Sequence, residues 1–371
     1  MTACIIAVIF YGSLMAQQPV GDIARQMVPG WNLGNTFEAV EVSTNTGGQT
    51  TWHQPVTTRA LIDYVAQLGF RSIRIPCSWV TAHRKDGHID RQWMAEVRQT
   101  VDWCLDAGLY VLLNDHWDGG WLERSFSHTN DSIVDRNIAT LQSIWTEIAT
   151  EFRDYDADRL LFAGANEPDV QTAEQCAVLM RYHQAFVDAV RATGGNNRQR
   201  VLVVQGPSTD IDKTHRWMQG LPIDPTPHRL MVEIHYYTPY QFADMREDAD
   251  WGRMFFYWGE GNHVAGSTRN STWGEEAFAR EQMQKMRRQF TSRGVPVIMG
   301  EYAAKLRTMP EGESQECHEA SAARYFEVVT RYAVEAGIVP MVWDTGELID
   351  RTHLRLNNRF AYDAIIKGIS Q

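Results

Sequence analysis

QLGFRSIRIP (67–76), DAGLYVLLND (106–115), SRGVPVIMGE (292–301) and EAGIVPMVWD (335–344) are four copies of one joint. In each, an amphipathic stretch runs into a Gly and then into a short apolar run. The Gly stands where a helix ends and the chain needs a left-handed residue. The apolar run lacks the alternation of a half-solvated strand, so it reads as a parallel strand covered on both faces. Four such αβ joints along one chain imply a wound repeat.

The stretches before the Gly residues carry a helical period: Leu61, Val65 and Leu68 before Gly69, and Val97, Val101, Cys104 and Leu105 before Gly108. Thr57 and Thr58 are candidate N-caps for the first. The remaining apolar runs bring the expected strands to eight, at 31–35, 71–76, 110–115, 160–166, 200–205, 229–236, 296–301 and 339–344. Helical patterns fall at 57–68, 92–107, 133–152, 172–193, 273–292, 318–336 and 358–369, with 208–220 only weakly helical. Eight alternating units predict an α/β fold, a single-domain (β/α)₈ TIM barrel. No GxGxxG follows a strand to suggest a dinucleotide site, and no Pro/Ser-rich linker separates a second domain. The longest insertion, 238–272, carries Trp251, Phe255, Phe256, Tyr257 and Trp258, either as a substrate-facing loop or as a small satellite core.

The chain has 371 residues with a net charge of -11, which argues against a nucleic-acid partner. Its 13 Trp suit stacking on sugar faces, although barrel packing also consumes such rings. ACIIAVIFYGSLMA (3–16) is an apolar run followed by Gln17, Gln18 and Pro19. It is too short to span a bilayer and resembles a signal peptide without its positive start; a buried first strand is the other reading. Residues 1–16 are therefore expected to be a signal and 17–371 one catalytic domain, secreted or periplasmic, monomeric and off the membrane once processed. Cys77, Cys104, Cys176 and Cys317 form no CxxC pair and read as core thiols, no disulfide being implied.

A barrel of this kind builds its site at the C-terminal strand ends. Those ends hold Asn35, Arg74, His116, Asn166 with Glu167, His235 with Tyr237, Glu301 and Trp343. Glu167 and Glu301 end strands four and seven, across the barrel from each other. Two facing carboxyl groups suit glycosidic cleavage, one as proton donor and one beside the oxocarbenium-like carbon. Either could instead pair with an Arg or cap a helix. Arg74 would orient a carboxylate, or form a structural ion pair; Tyr237 would donate a hydrogen bond to the nucleophile. His116 and His235 lack HxH or HExxH spacing, so hydrogen bonding is favoured over a metal. Trp343 is a candidate floor for a sugar, with core packing as its alternative.

GWNLGNTFEA (30–39), FRSIRIPCSW (70–79), LLNDHWDGGW (112–121), FAGANEP (162–168), EIHYYTP (233–239), VIMGEY (297–302) and MVWDTG (341–346) together resemble glycoside hydrolase family 5, in the family's order. The resemblance implies a retaining enzyme with Glu167 as acid/base and Glu301 as nucleophile. It implies that Asn166 binds the 2-hydroxyl, with Arg74, His116, His235, Tyr237 and Trp343 completing the shell, and that neither a metal nor an organic cofactor takes part. Where many members have two consecutive His, this chain has His116 followed by Trp117, so Trp117, with Trp121 and Trp52, is expected to reshape the sugar subsites. A polysaccharide partner follows, ranked as cellulose-like or mixed-linkage β-1,4-glucan first, with xyloglucan and β-mannan behind. A non-catalytic carbohydrate-binding barrel is the rival from another class, and the presence of both acids speaks against it.

Overall fold

Eight parallel strands close into a barrel in the computed structural model, which describes residues 18–127 and 130–370. They are β1 (Gly30–Asn32), β2 (Ser72–Ile75), β3 (Tyr110–Asn114), β4 (Leu160–Ala163), β5 (Leu202–Gln205), β6 (Leu230–Tyr236), β7 (Val297–Tyr302) and β8 (Ile338–Val342). Each pairs with the next, and β8 closes on β1 with Val342 opposite Trp31. The helices expected between them are present, from Arg59–Gln67 round to Arg359–Ile369. The four joint glycines all adopt the left-handed backbone that the reading required, with φ of 91° at Gly69, 83° at Gly108, 80° at Gly294 and 74° at Gly337. Of the two candidate caps it is Thr58 that works, its hydroxyl accepting the Leu61 N–H at 3.2 Å. The proposed signal segment and Cys4 lie outside the described residues.

The first strand departs most from expectation. It stops at Asn32 instead of running to 35, because Asn35 takes a left-handed backbone with φ 58° and gives its N–H to the Glu38 carboxylate. The weak pattern at 208–220 condenses to a single short helix, Ile211–Trp217. A helix the sequence reading did not include, Val20–Gln26, plugs the barrel floor. Its Val20, Ile23 and Ala24 pack with Leu112, Leu161, Val203, Met231, Ile298 and Met341, which point inward from six strands.

The strands alternate in side although their residues are nearly all buried. Met231 faces the interior, Val232 and Ile234 face the helices, and Glu233 and His235 turn inward again. On β2, Ile73 and Ile75 pack outward while Arg74 enters the barrel. The interior is thus apolar at the floor and polar at the mouth.

The 238–272 insertion is mainly a satellite core: Phe255, Phe256, Tyr257 and Trp258 are buried, with Trp258 packed edge-on against Tyr325 at 5.2 Å. Trp251 is the exception, 66% exposed and 6.1 Å from the Tyr240 ring. The four later cysteines are free; Cys77, Cys104 and Cys176 are buried, whereas Cys317 is only partly so and is not a full core thiol. No helix among the described residues is long and apolar enough to cross a membrane.

Candidate active site

Strict alternation along β7 would send Glu301 outward, since Ile298 points in and Met299 points out. The strand avoids this with a bulge. Met299 pairs with Ile234 but Glu301 pairs with His235, so β7 carries one residue more than β6, and the same excess appears against β8. The extra residue re-aims the next side chain. Gly300 suits the bulge because a Cβ there would collide with the Glu233 carboxylate.

Glu301 so turned meets a set of fixed donors. Arg74 Nη1 donates to its Oε1 at 2.9 Å and the Tyr237 hydroxyl donates to its Oε2 at 2.9 Å. His116 Nε2 stands 3.9 Å from Oε1. Across the mouth, Glu167 Oε1 lies 2.6 Å from His235 Nδ1, and its side chain is 42% exposed. One oxygen of each acid and a ring nitrogen of His235 all lie within 4.8 Å of one another. Among the described residues this is the one convergence of three or more acidic, histidine or cysteine ligand atoms close enough for a metal ion, and here the His235 ring nitrogen bonds directly to Glu167.

Arg74 is the hub. Besides Glu301 it donates to Asn32 Oδ1 at 3.1 Å and Asn166 Oδ1 at 2.8 Å, and its Nε stands 2.9 Å from Glu233 Oε1, in ion-pair range but off the hydrogen-bond line. Burial opposes its charge, but Glu233, Glu301 and Glu167 outweigh that and hold it above its usual pKa. Burial likewise opposes a charged His235, yet Glu301, Glu167 and Glu233 push it up to about 10. His116 goes the other way: burial, then the Arg74 and His235 charges, hold it well below its usual range. It is neutral, with Nδ1 3.3 Å from the Asn114 amide nitrogen, so the proton sits on Nε2. Burial leaves Glu301 above its ordinary range although His235, Arg74 and Tyr237 favour its anion, while for Glu167 the bond and charge of His235 outweigh desolvation and hold it low. These groups titrate as a unit, with one proton disposed along the His235–Glu167 contact.

The structure therefore brings together Arg74, His116, Asn166, Glu167, His235, Tyr237 and Glu301. The Trp343 ring stacks on His116 at 5.7 Å and 7°, at the rim of the same mouth. Trp117 lies farther out, 6.5 Å from Trp52 and beneath the Arg124 guanidinium at 5.5 Å. No hydrogen bond among the described residues joins the Asn35 side chain to the acids; the neighbouring β1 residue that does enter the network is Asn32. Also absent from the strand-end reading were Glu233, Gln205 and Glu123. Glu233 is fully buried between Arg74 and His235, and Gln205 donates to it at 2.7 Å. Its signal was legible, being a lone acid in LMVEIHY two residues before His235 and so on the same face.

A closed parallel barrel with two carboxyl groups converging from opposite strands is the architecture of a glycoside hydrolase. The chain belongs to glycosyl hydrolase family 5: the cellulase model of that family matches residues 34–348. It is 36% identical to a xyloglucan-specific endo-beta-1,4-glucanase of Bacteroides ovatus, over 94% of this chain and 70% of that protein. It is 31% identical to endoglucanase A of Paenibacillus barcinonensis, over 96% and 91%. Among solved structures it is similar to a xyloglucan-specific beta-1,4-glucanase from a ruminal metagenomic library in complex with XXLG, with a TM-score of 0.86 and 42% identity, covering 94% of this chain and 96% of that one. The protein is a glycosidase.

Proposed function

We propose that the protein is a retaining endo-β-1,4-glucanase in which Glu301 is the nucleophile and Glu167 the acid/base. The observation that carries this is the approach of the two carboxyl groups to within 4.8 Å. Double displacement needs a separation of about 5–5.5 Å, whereas direct attack by water needs about 6.5–9.5 Å. Glu301 attacks the anomeric carbon, its charge steadied by Arg74 and Tyr237. Glu167 gives the departing 4-oxygen a proton that it shares with His235 at rest. Once the ester forms, that proton has left with the sugar and the Glu301 charge is gone, so Glu167 stays ionised as the base. Glu167 then takes a proton from water, which attacks the same carbon and releases the sugar with retained configuration. Asn166 offers an amide hydrogen to the 2-hydroxyl, and Trp343 offers a ring face at the cleavage point.

Sequence alone put unbranched glucan first. The similarity to two xyloglucan-specific enzymes supports xyloglucan, a branched β-1,4-glucan, as the preferred chain. The apolar segment at 3–16 supports export to the periplasm or the medium, where such polymers are met. The test is reducing-sugar release from xyloglucan, barley β-glucan, carboxymethylcellulose and mannan by wild type, Glu167→Gln and Glu301→Gln. Xyloglucan should be cut fastest and mannan not at all. Glu167→Gln should lose roughly 10²–10⁴-fold, and Glu301→Gln more. Either variant working at the wild-type rate refutes its role, and activity on mannan alone refutes the substrate.

A further inference from the structure

Glu123 is a buried carboxylate that the two displacement steps leave unused. It stands on a short turn after β3, is 8% exposed, and its Oε1 accepts two hydrogen bonds from the segment that carries the acid. One comes from Asn166 Nδ2 at 2.9 Å and the other from the Glu167 backbone N–H at 2.8 Å. The Glu123 carbonyl also accepts the Asp169 N–H at 3.0 Å, so this one residue clips the segment at both ends.

We propose that Glu123 is a positioning residue for acid/base catalysis, fixing the Asn166 amide and the Glu167 peptide from beneath. This rests on the assignment of Glu167 as acid/base. The amide has only one stable orientation. Arg74 can only donate, so Asn166 Oδ1 must face it, and an ionised Glu123 can only accept, so Nδ2 must face Glu123. One Nδ2 hydrogen is used in this way and the other is left for the sugar 2-hydroxyl. Without the carboxylate the amide is free to turn, and the Glu167 peptide loses its anchor.

Charge gives a second consequence. Facing Glu123 are the acids Glu167, Glu301 and Asp115, with the Arg74 cation beyond Asn166. Burial, reinforced by Glu167 and Glu301 and opposed by the bonds from Glu167 N–H and Asn166, pushes Glu123 up to about 7. By the same repulsion, an ionised Glu123 makes the Glu167 acid hold its proton to higher pH.

The experiment compares Glu123→Gln and Glu123→Asp with wild type on xyloglucan and on 2,4-dinitrophenyl β-cellobioside, whose leaving group departs without a proton. Glu123→Gln should lose about tenfold or more in kcat/KM on the polysaccharide and several-fold less on the dinitrophenyl glycoside. The alkaline limb of its pH profile should fall by about one unit. Glu123→Asp retains the charge but withdraws it, so its rate should drop with the limb in place. Equal losses on both substrates with an unmoved limb, or wild-type rates for Glu123→Gln, overturn the proposal. Wild-type inactivity on every polysaccharide would instead strike at the proposed endo-glucanase activity on which this rests.

Discussion

The Tyr237 hydroxyl touches Glu301 Oε2 at 2.9 Å and is raised well above the usual phenol range by burial and then by Glu301 itself. It therefore stays a donor at any working pH. Tyr237→Phe removes a charge-assisted bond worth about 1.5–3 kcal/mol, so kcat/KM should fall roughly 10- to 100-fold while the melting temperature barely moves. The bond favours the Glu301 anion. Its loss must raise that carboxyl further and carry the acid limb of the pH profile upward; an unmoved limb would show that the hydroxyl serves only the sugar. Residues of this sort were legible because each ends an apolar run. Asn32 was not, because it lies within an expected strand, one layer below the mouth, whereas Gln205, ending its run, and Glu233, two residues before His235, did carry a pattern that puts them on the inward face. Glu123 gave no pattern at all, since it comes from a turn whose only regularity is its contact with the segment that follows β4.

Among the elements, the segment after β3 shows how a loop is tied without regular structure. Asp118 accepts the backbone N–H groups of Trp79 at 2.8 Å, Val80 at 2.7 Å and Thr81 at 2.7 Å, fastening the loop after β2 to the loop after β3. Trp52 and Trp117 pair beside this tie. Asp118→Ala strands three donors, a loss of about 3 kcal/mol in unfolding free energy. The gain from relieving Asp115 offsets part of it, because burial and then the neighbouring Asp118 hold Asp115 well above its usual range. Urea denaturation should show a lower midpoint with an unchanged slope. The αβ joints could be read from sequence because a left-handed turn calls for Gly. The fate of the 238–272 insertion could not, since an aromatic cluster has the same composition whether it faces solvent or a helix. Contact with Phe242 and Tyr325 decides it.

Over the whole molecule, the barrel gathers three acids, Glu167, Glu233 and Glu301, round two cations, Arg74 and His235. The excess of acid keeps His235 protonated, up to about 10. A histidine whose folded pKa lies above its unfolded value of about 6.5 contributes stability that is complete below that pH and disappears as pH rises towards the folded value. Other groups act elsewhere. His83 and His183, lowered by burial to about 4, contribute above about 6.5 and lose that contribution as pH falls towards 4. Glu38 and Glu123, raised by burial to about 7, favour the folded state at low pH and lose that effect as pH rises from about 4.5 to 7. Histidine and carboxyl trends thus oppose each other between about 4.5 and 6.5, and the buried thiols of Cys77, Cys104 and Cys176, all raised, intervene only once unfolded thiols ionise near about 8.5. Between pH 7 and about 8.5 His235 contributes a loss of stability, beside that of the buried Asp115 carboxyl, which is held well above its usual range. The melting temperature of wild type should fall across that interval, and His235→Asn, less stable overall, should fall less steeply. A variant that declines in parallel with wild type would place the alkaline sensitivity outside the acid cluster.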